Sequence, residues 1–328
     1  MPVRRKTPHG NRKHQTKAER LREAAESAAL DEIARAEGEA GRVVAHHGVA
    51  VLVRMDAGGE RQIRLTPDQR AVAGDRVIVV KDRLRVEPAE GILRRFDARG
   101  RERTIATNLD ILGIVIAPEP REPPGYIDRG FVIARSAGIE PLLILNKLDI
   151  EGATELADRL FEIYGKSSAV LRMSAKTSEG IDAISATLAG GKIGALIGPS
   201  GVGKSSLLNA LVPDLDLRVS ELNRGSQKGR HTTTTATLHA LSTGGLLVDT
   251  AGFKDFIAVD VDLQEAAAFF PGFETLSDEA CRFRDCQHRT EPSCRILEAV
   301  EAGDIEAGRH RAYLRLIDEL AEPVRRSR

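Results

Sequence analysis

Several features are missing from this chain of 328 residues, and each absence narrows its possible class. No apolar run approaches the roughly 18–20 residues that a membrane-spanning helix needs. Residues 1–20 are basic and polar without an apolar core, which is unlike a secretory signal. The 3 cysteines all lie between positions 281 and 294, which fits a metal site in a reducing compartment better than a disulfide framework. These absences predict a cytoplasmic protein that does not bind membranes.

The chain also has no net charge, because 48 basic residues balance 48 acidic ones. The charges are nevertheless unevenly distributed along it. Basic residues dominate positions 1–20, where Glu19 is the single acid. A second basic cluster comprises Arg94, Arg95, Arg99, Arg101 and Arg103. Basic clusters of this kind are typical of proteins that bind polyanions. A solvated tail and a charged linker are equally good interpretations.

Changes of pattern along the chain predict a multidomain α/β protein. Residues 1–40 are a basic N-terminal extension, expected to be helical or partly disordered. Short strands separated by turns over residues 41–95 favour a small β-barrel, and we expect an oligonucleotide-binding (OB) type, although other small barrels fit the same pattern. Apolar strands alternate with helices over residues 96–258, which predicts a mostly parallel sheet. Residues 259–328 have helical patterns around the cysteines and end in an amphipathic stretch, 303–320.

The clearest motif is a phosphate-binding loop at residues 198–205, which match G-x-x-x-x-G-K-S between an apolar strand and a helix. Its glycines let backbone N–H groups cradle phosphate oxygens at a helix N-terminus. We expect Lys204 to reach the β- and γ-phosphates and Ser205 to bind Mg²⁺. A chance match in a glycine-rich turn is the alternative, and the flanking strand and helix argue against it.

A second pair of motifs predicts that the nucleotide is guanine. Residues Asn146-Lys147-Leu148-Asp149 follow one apolar strand and Ser174-Ala175-Lys176 follow the next. Guanine offers two donors, N1–H and the exocyclic amine, to a carboxylate such as Asp149, whereas adenine would leave that carboxylate unpaired. We expect Asn146 to tie the base-binding loops together and the stem of Lys147 to lie over the ring. An ATP-dependent P-loop kinase is therefore disfavoured.

The order of these motifs indicates circular permutation. Asp249-Thr-Ala-Gly252 has the form of the Mg²⁺ and γ-phosphate sensor that follows a phosphate-binding loop. In an ordinary GTPase the guanine motifs come after both, but here they come first. We hypothesise that γ-phosphate contacts at Gly252–Phe253 reposition the C-terminal domain, which follows almost directly in the permuted chain.

The residues between and just after the two phosphate motifs bear on catalysis. A threonine between the two phosphate motifs is needed to bind Mg²⁺ and the γ-phosphate, and spacing does not choose among Thr232, Thr233 and Thr234. Phe253 cannot orient a water molecule, so hydrolysis needs another group or is slow. His231 is the nearest polar candidate, and an ordinary surface histidine is the alternative. We expect slow turnover that a partner accelerates.

The predicted site residues form three sets. The catalytic candidates are Lys204, His231 and Thr233. The nucleotide-binding candidates are Asn146, Lys147, Asp149, Ser174, Ala175, Lys176, Gly198, Pro199, Ser200, Gly201, Val202, Gly203, Lys204, Ser205, Ser206, Asp249 and Gly252. The magnesium candidates are Ser205, Thr232, Thr233, Thr234 and Asp249.

The cysteines belong to a compact metal-binding pattern, Cys281-x₄-Cys286-x-His288-x₅-Cys294. Three thiolates and one imidazole are the tetrahedral set that a structural Zn²⁺ prefers. No position is left open for water, so we expect no catalytic role. Unlinked buried cysteines are the alternative.

From about residue 41 onward the motifs together resemble those of the bacterial ribosome small-subunit-dependent GTPase A family. The resemblance includes Gly125-Tyr-Ile-Asp-Arg129, Gly229-Arg-His-Thr-Thr-Thr234 and the cysteine-histidine pattern. It implies an OB domain, a permuted GTPase domain and a zinc domain. It also implies GTP hydrolysis stimulated by the small (30S) ribosomal subunit during late assembly, with 16S rRNA as a partner and a monomeric protein. Ala251 departs from the proline that the family usually has there.

Two alternatives to this function remain open at the level of sequence. One is a permuted GTPase of large-subunit assembly, against which the front barrel and the zinc pattern argue. The other is an RNA-binding module that uses GTP as a static sensor with negligible hydrolysis, which Phe253 keeps possible.

Overall fold

The computed structural model describes residues 38–97, 100–212, 215, 236–249, 261–273 and 281–321. Nearly all of the N-terminal extension lies outside these residues. Among the described helices, none has the length and apolar character needed to cross a membrane.

The front domain is an antiparallel sheet of five short strands. They are β1 Glu39–His46, β2 Ala50–Met55, β3 Glu60–Arg64, β4 Arg76–Val80 and β5 Arg83–Val86, paired in the order β3-β2-β1-β4-β5. Alternate apolar residues of all five strands, including Val43, Val53 and Leu84, enter a single core. The two outer strands, β3 and β5, approach each other. This arrangement agrees with the predicted small β-barrel, although β5 was not foreseen.

Most of the second basic cluster lies in a β-hairpin, while Arg99 lies outside the described residues. Its strands are β6 Leu93–Phe96 and β7 Glu102–Ala106, which pair with each other. Ala106 also forms an isolated bridge with Ala73 of the front domain. Several arginines form ion pairs within the hairpin. Arg94 lies 3.1 Å from Glu102, and Asp97 pairs with both Arg101, at 3.0 Å, and Arg103, at 3.1 Å. Ion pairs therefore hold the described part of this segment in an ordered hairpin, and its role as a charged linker or a polyanion-binding surface stays a prediction.

A mostly parallel sheet carries the predicted nucleotide motifs. Its strands are β8 Ile111–Ile116, β9 Glu140–Leu145, β10 Val170–Arg172, β11 Ile193–Ile197, β12 Thr237–Ala240 and β13 Leu246–Asp249. The parallel order is β10-β9-β8-β11-β13, and β12 adds antiparallel to β13. Strand β12 also pairs with β1 at Thr237 and Ala45, so the sheet continues into the front domain.

Helices cover both faces of this sheet, as predicted. They are α1 Tyr126–Ser136, α2 Ala153–Tyr164, α3 Ile181–Thr187 and α4 Lys204–Leu211. Alternate residues of β8 face opposite sides. On one side Leu112 and Ile114 pack with α1 and α2, and on the other Ile111 packs with α3 and α4.

The C-terminal domain is helical, with α5 Ala266–Phe269, α6 Arg295–Ala302 and α7 Ala307–Ala321. The amphipathic stretch at 303–320 begins with a turn, because Gly303 has a positive φ of 84° and ends α6. Phe270, Phe273 and Tyr313 form the centre of the domain's core. Val132 of α1 belongs to the same core, so the domain packs directly on the nucleotide-binding domain.

Candidate functional site

The predicted nucleotide motifs meet at one edge of the sheet. Residues 117–125 follow β8, residues 146–149 follow β9, residues 174–176 follow β10, and residues 198–203 follow β11. Because these strands are parallel and adjacent, their carboxyl ends lie side by side. The edge therefore holds a base-recognition part and a phosphate part next to each other.

The phosphate-binding loop connects β11 to α4 through glycines that its packing requires. A Cβ atom at Gly198 would lie 2.4 Å from the carbonyl oxygen of Val115, and one at Gly203 would lie 2.3 Å from Nδ2 of Asn146. Gly203 also has a positive φ of 97° at the start of α4. The loop thus packs so closely against its neighbours that larger residues are excluded at both positions.

Lys204, at the first position of α4, is turned back over its own loop. Its ammonium donates to the carbonyl oxygens of Gly198, at 2.5 Å, and Pro199, at 2.9 Å. Burial lowers the pKa of Lys204 to about 8. Both of these acceptors are neutral carbonyl oxygens. A phosphate bound in the loop would give the Lys204 ammonium a negatively charged partner.

Asn146 joins the base-recognition loops to the phosphate-binding loop. It is fully buried, and its Nδ2 donates to the carbonyl oxygen of Val202 at 2.8 Å. Its Oδ1 accepts from the backbone N–H of Ala175 at 3.0 Å. One side chain therefore fixes three loops relative to one another, which is the role expected of it from the sequence.

Asp149 is held as an ionised acceptor. Its Oδ1 accepts from the hydroxyl of Ser174 at 2.6 Å, and the ammonium of Lys176 lies 3.3 Å from Oδ2. These contacts, the Ser174 hydrogen bond first, lower the pKa of Asp149. The Lys147 ammonium donates to the carbonyl oxygen of Glu119 at 2.7 Å, which anchors the end of a stem expected to cover the base.

Only part of the expected magnesium site lies in the described structure. Ser205 is exposed in the first turn of α4, and Asp249 ends β13, the strand beside β11. This placement brings Asp249 to the same sheet edge as the phosphate-binding loop. His231, Thr232, Thr233, Thr234, Gly252 and Phe253 lie outside the described residues, so their roles stay predictions.

The cysteine-histidine pattern closes into a compact cluster of four possible ligands. Ligand atoms of Cys281, Cys286, His288 and Cys294 all lie within 4.8 Å of one another. Nδ1 of His288 is 3.6, 3.5 and 3.3 Å from the three sulfur atoms in chain order. Tetrahedral donors at zinc bonding distances would be roughly 3.5–3.8 Å apart. The donor set therefore fits a metal ion of that size.

Burial sets the protonation of the side chains in the cluster. Burial lowers the pKa of His288, so its imidazole is neutral, and burial raises the pKa of Cys286 to about 12. The buried thiols need a positive ion before they can ionise. His310 holds the ligand loop through a 2.7 Å contact between its Nε2 and the carbonyl oxygen of His288.

A buried polar joint between the two domains was not foreseen from the sequence. Asp128 of α1 accepts from the Tyr164 hydroxyl at 2.9 Å and from the Arg309 guanidinium at 2.8 Å. The guanidinium also reaches the carbonyl oxygen of Pro271, and its centre lies 4.6 Å from the ring of Phe270. The only signal in the sequence was a carboxylate within the apolar pattern of α1, in the Gly125–Arg129 motif.

Comparison with known proteins agrees with this geometry. A model of the family described as RsgA GTPase matches residues 86–258. A protein of Chromohalobacter salexigens named small ribosomal subunit biogenesis GTPase RsgA is 40% identical over 85% of this chain and 86% of its own length. A protein of the same name from Azotobacter vinelandii is 38% identical over 86% of each chain.

Solved structures show the same architecture. The crystal structure of YjeQ from Thermotoga maritima has a TM-score of 0.70 at 31% identity and covers 87% of this chain and 99% of its own. YloQ, described as a circularly permuted GTPase, has a TM-score of 0.66 over 87% of this chain and 95% of its own, and at 23% identity it supports the fold alone. The chain therefore belongs to the RsgA GTPase family and has its circularly permuted fold.

Proposed function

We propose that this protein hydrolyses GTP to GDP and phosphate while bound to the small (30S) ribosomal subunit, and that it acts in late maturation and release of that subunit in the cytoplasm. One observation carries the nucleotide part of the proposal. Asn146 joins the base loops to the phosphate-binding loop and leaves the ionised Asp149 beside them. The subunit comes from the names of relatives that are 38–40% identical.

Base selection follows from the state of Asp149. Its two oxygens match the N1–H and the exocyclic amine of guanine, while Ser174 and Lys176 keep the carboxylate ionised and oriented. Adenine offers neither donor arrangement, so it would leave a charged acceptor unpaired. The stem of Lys147 completes the base pocket by covering the face of the ring.

The phosphate side is assigned to the loop residues 198–206. Lys204 would exchange its loop carbonyls for phosphate oxygens, and Ser205, Asp249 and one of Thr232, Thr233 and Thr234 would hold Mg²⁺. When bound, Mg²⁺ would supply positive charge that offsets the charge developing on the phosphates. His231 is the candidate for orienting the attacking water, because Phe253 cannot do so. Slow intrinsic turnover and stimulation by the subunit follow from this arrangement.

The cluster at Cys281, Cys286, His288 and Cys294 is proposed to hold one structural Zn²⁺. Four nitrogen and sulfur donors at tetrahedral spacing support zinc over hard, oxygen-preferring cations. All four positions are protein ligands, which leaves no place for a reacting water. We further propose that the protein is a monomer that contacts 16S rRNA.

The decisive experiment measures phosphate release from GTP with no addition, with purified small subunits and with purified large subunits. Small subunits should raise the rate of the wild-type protein, and His231→Ala should lose most of that increase. Stimulation by large subunits alone would overturn the proposal and favour a role in large-subunit assembly. Tight GTP binding with no stimulated hydrolysis would favour a GTP sensor.

Base recognition is tested separately with Asp149→Asn. Asparagine replaces an acceptor oxygen with an N–H donor, and this suits xanthine, which has a carbonyl at C2 where guanine has an amine. The variant should lose GTP affinity and gain affinity for xanthosine triphosphate, as measured by competition against a fluorescent nucleotide. An unchanged preference for GTP would remove Asp149 from the base site.

A further inference from the structure

The loop between the first two metal ligands carries an aromatic side chain on the surface. Phe283 is 40% exposed, and among the described residues only Val49, Phe161 and Ile163 are other large apolar side chains in that state. Its neighbours Arg282, Arg284 and Asp285 are exposed too. A single exposed ring is common on protein surfaces, so the significance of Phe283 depends on the groups placed around it.

Charge around the ring is positive and available. The guanidinium centre of Arg282 lies 5.5 Å from the centroid of the Phe283 ring. Other arginines of this domain are engaged, since Arg289 pairs with Asp318 and Arg295 with Glu298. Neither Arg282 nor Arg284 has an ion pair within the part of the chain that the structure describes, and the loop stays net positive when Asp285 is counted.

The loop is fixed at both ends. Cys281 and Cys286 contribute sulfur atoms to the metal cluster, and the backbone N–H of Cys286 donates to the carbonyl oxygen of Phe283 at 3.3 Å. A bound metal would therefore restrict the loop and reduce the conformational entropy that a ligand must otherwise overcome.

We propose that Arg282, Phe283 and Arg284 form a platform on which an unpaired RNA base stacks, with the two guanidinium groups contacting the flanking phosphates. This rests on the proposed function, in which the RNA is that of the small ribosomal subunit. A single exposed ring between two cations matches a nucleotide, which presents a flat π face and a negative charge at each step. A protein partner would instead need an apolar pocket to cover the ring and acidic groups to meet the arginines.

The first test measures binding of a fluorescein-labelled, short single-stranded RNA of mixed sequence by anisotropy. Stacking on an aromatic side chain is worth about 1–3 kcal/mol per base, so Phe283→Ala should weaken binding by roughly 5- to 150-fold. Phe283→Tyr should bind within about twofold of wild type because it keeps the ring. Phe161→Ala is the matched control, since Phe161 is 60% exposed on α2 without an arginine placed over it among the described residues. It should leave binding unchanged.

The arginines are tested by salt dependence. Each phosphate contact on a single strand contributes about 0.7 to the slope of log affinity against log salt concentration. Arg282→Ala and Arg284→Ala should each lower that slope by about this amount. Metal content measured on every variant confirms that the cluster is intact, so weakened binding is not a loss of the domain.

A second test identifies the partner on the small subunit itself. A photo-crosslinking amino acid at position 283 of the full chain should attach to ribosomal RNA when the protein is bound to purified small subunits. Attachment only to ribosomal protein, or RNA affinity unchanged in Phe283→Ala, would overturn the proposal. If Phe283→Ala loses RNA binding while the wild-type protein shows no subunit-stimulated hydrolysis, the platform stands and the proposed function fails.

Discussion

The base-recognition loops and the cysteine-histidine cluster are both ligand sites, but they differ in what holds them together. The loops are joined by their own hydrogen bonds, such as those of Asn146 to Val202 and Ala175. In the cluster, three sulfur atoms and one ring nitrogen face each other within 4.8 Å. We expect the mutual arrangement of these donors to depend on a bound metal.

The fold is therefore expected to depend much less on the nucleotide than on the metal. The nucleotide enters a site that is largely built before it binds, so its removal should change the structure little. The proposed metal would complete a small domain whose apolar core includes two of its candidate ligands, Cys286 and Cys294. The predictions below test this contrast, beginning with the largest expected effect.

Replacing Cys286 with alanine should remove the metal and unfold much of the C-terminal domain. Structural zinc sites contribute about 10–16 kcal/mol of apparent binding free energy in small domains. The metal content should fall from one equivalent to none, and the amides of α6 and α7 should lose their protection from hydrogen exchange. Guanine nucleotide binding should persist. Arg295→Ala, beside the ligand Cys294, is the control that should keep the metal. An equally protected, metal-free domain would contradict the contrast.

Replacing Arg309 with alanine should destabilise the joint between the domains. It leaves the Asp128 carboxylate buried with one partner, and removal of one member of a buried ion pair costs about 3–5 kcal/mol. Burial and the Asp128 charge raise the pKa of Tyr164, so that partner stays a neutral donor. Arg309→Lys should recover part of the loss, since lysine restores charge but not the packing on Phe270.

Chemical denaturation with separate probes on the two domains measures this effect. The exposed pair Arg295–Glu298 provides a matched control, because removing it should change stability by less than about 1 kcal/mol. Equal effects of Arg309→Ala and Arg295→Ala would show that the joint adds nothing to stability.

Sequence patterns predicted the parts of the molecule whose causes are local. The strand, loop and helix around Lys204 follow from an apolar run, glycines and a helical period, and the structure has the helix at Lys204–Leu211 as expected. The metal cluster is local as well, because its four ligands fall within one short segment. The choice of Nδ1 in His288 depends on loop geometry and could not be predicted.

Features that depend on distant residues were missed. The β6–β7 hairpin was hidden because arginines on both strands obscure the apolar alternation. Arg309 lies 181 residues from Asp128, and neither local pattern indicates a partner. The hypothesis that Gly252–Phe253 repositions the C-terminal domain stays a prediction, while the described contact between the domains runs through α1.

Replacing Asn146 with alanine tests whether the base-recognition loops are preformed by their own hydrogen bonds. The variant loses two hydrogen bonds and leaves the Val202 carbonyl and the Ala175 N–H without these partners, which should cost about 1–3 kcal/mol of folding stability. Nucleotide affinity should fall further, because three loops lose their common anchor. Asp149→Asn is the control, since its amide oxygen can still accept from the buried Ser174 hydroxyl, so it should lose guanine affinity with little change in stability. Denaturation and nucleotide titration separate the two effects.

The smallest effect expected is a pH dependence of nucleotide binding through Lys204. Burial lowers its pKa to about 8 in the free protein, below the ordinary lysine value of about 10.4. Nucleotide phosphates favour the charged ammonium and raise that pKa again, so binding takes up a proton once the pH exceeds about 8.

GDP affinity should therefore be flat below pH 8 and fall by up to about tenfold per pH unit above it, as measured by calorimetry in buffers of different ionisation enthalpy.

The same shift in the pKa of Lys204 also affects the stability of the fold. The free protein should gain stability as the pH rises from about 8 towards 10.4, because the buried charge is progressively removed in the folded state. Lys204→Arg keeps its charge throughout and should lose both effects, while any titration of the nucleotide itself is common to the two proteins. If wild type and Lys204→Arg had the same pH profile, the lysine would already be fully charged in the empty loop. The phosphate-binding loop would then be as preformed as the base-recognition loops.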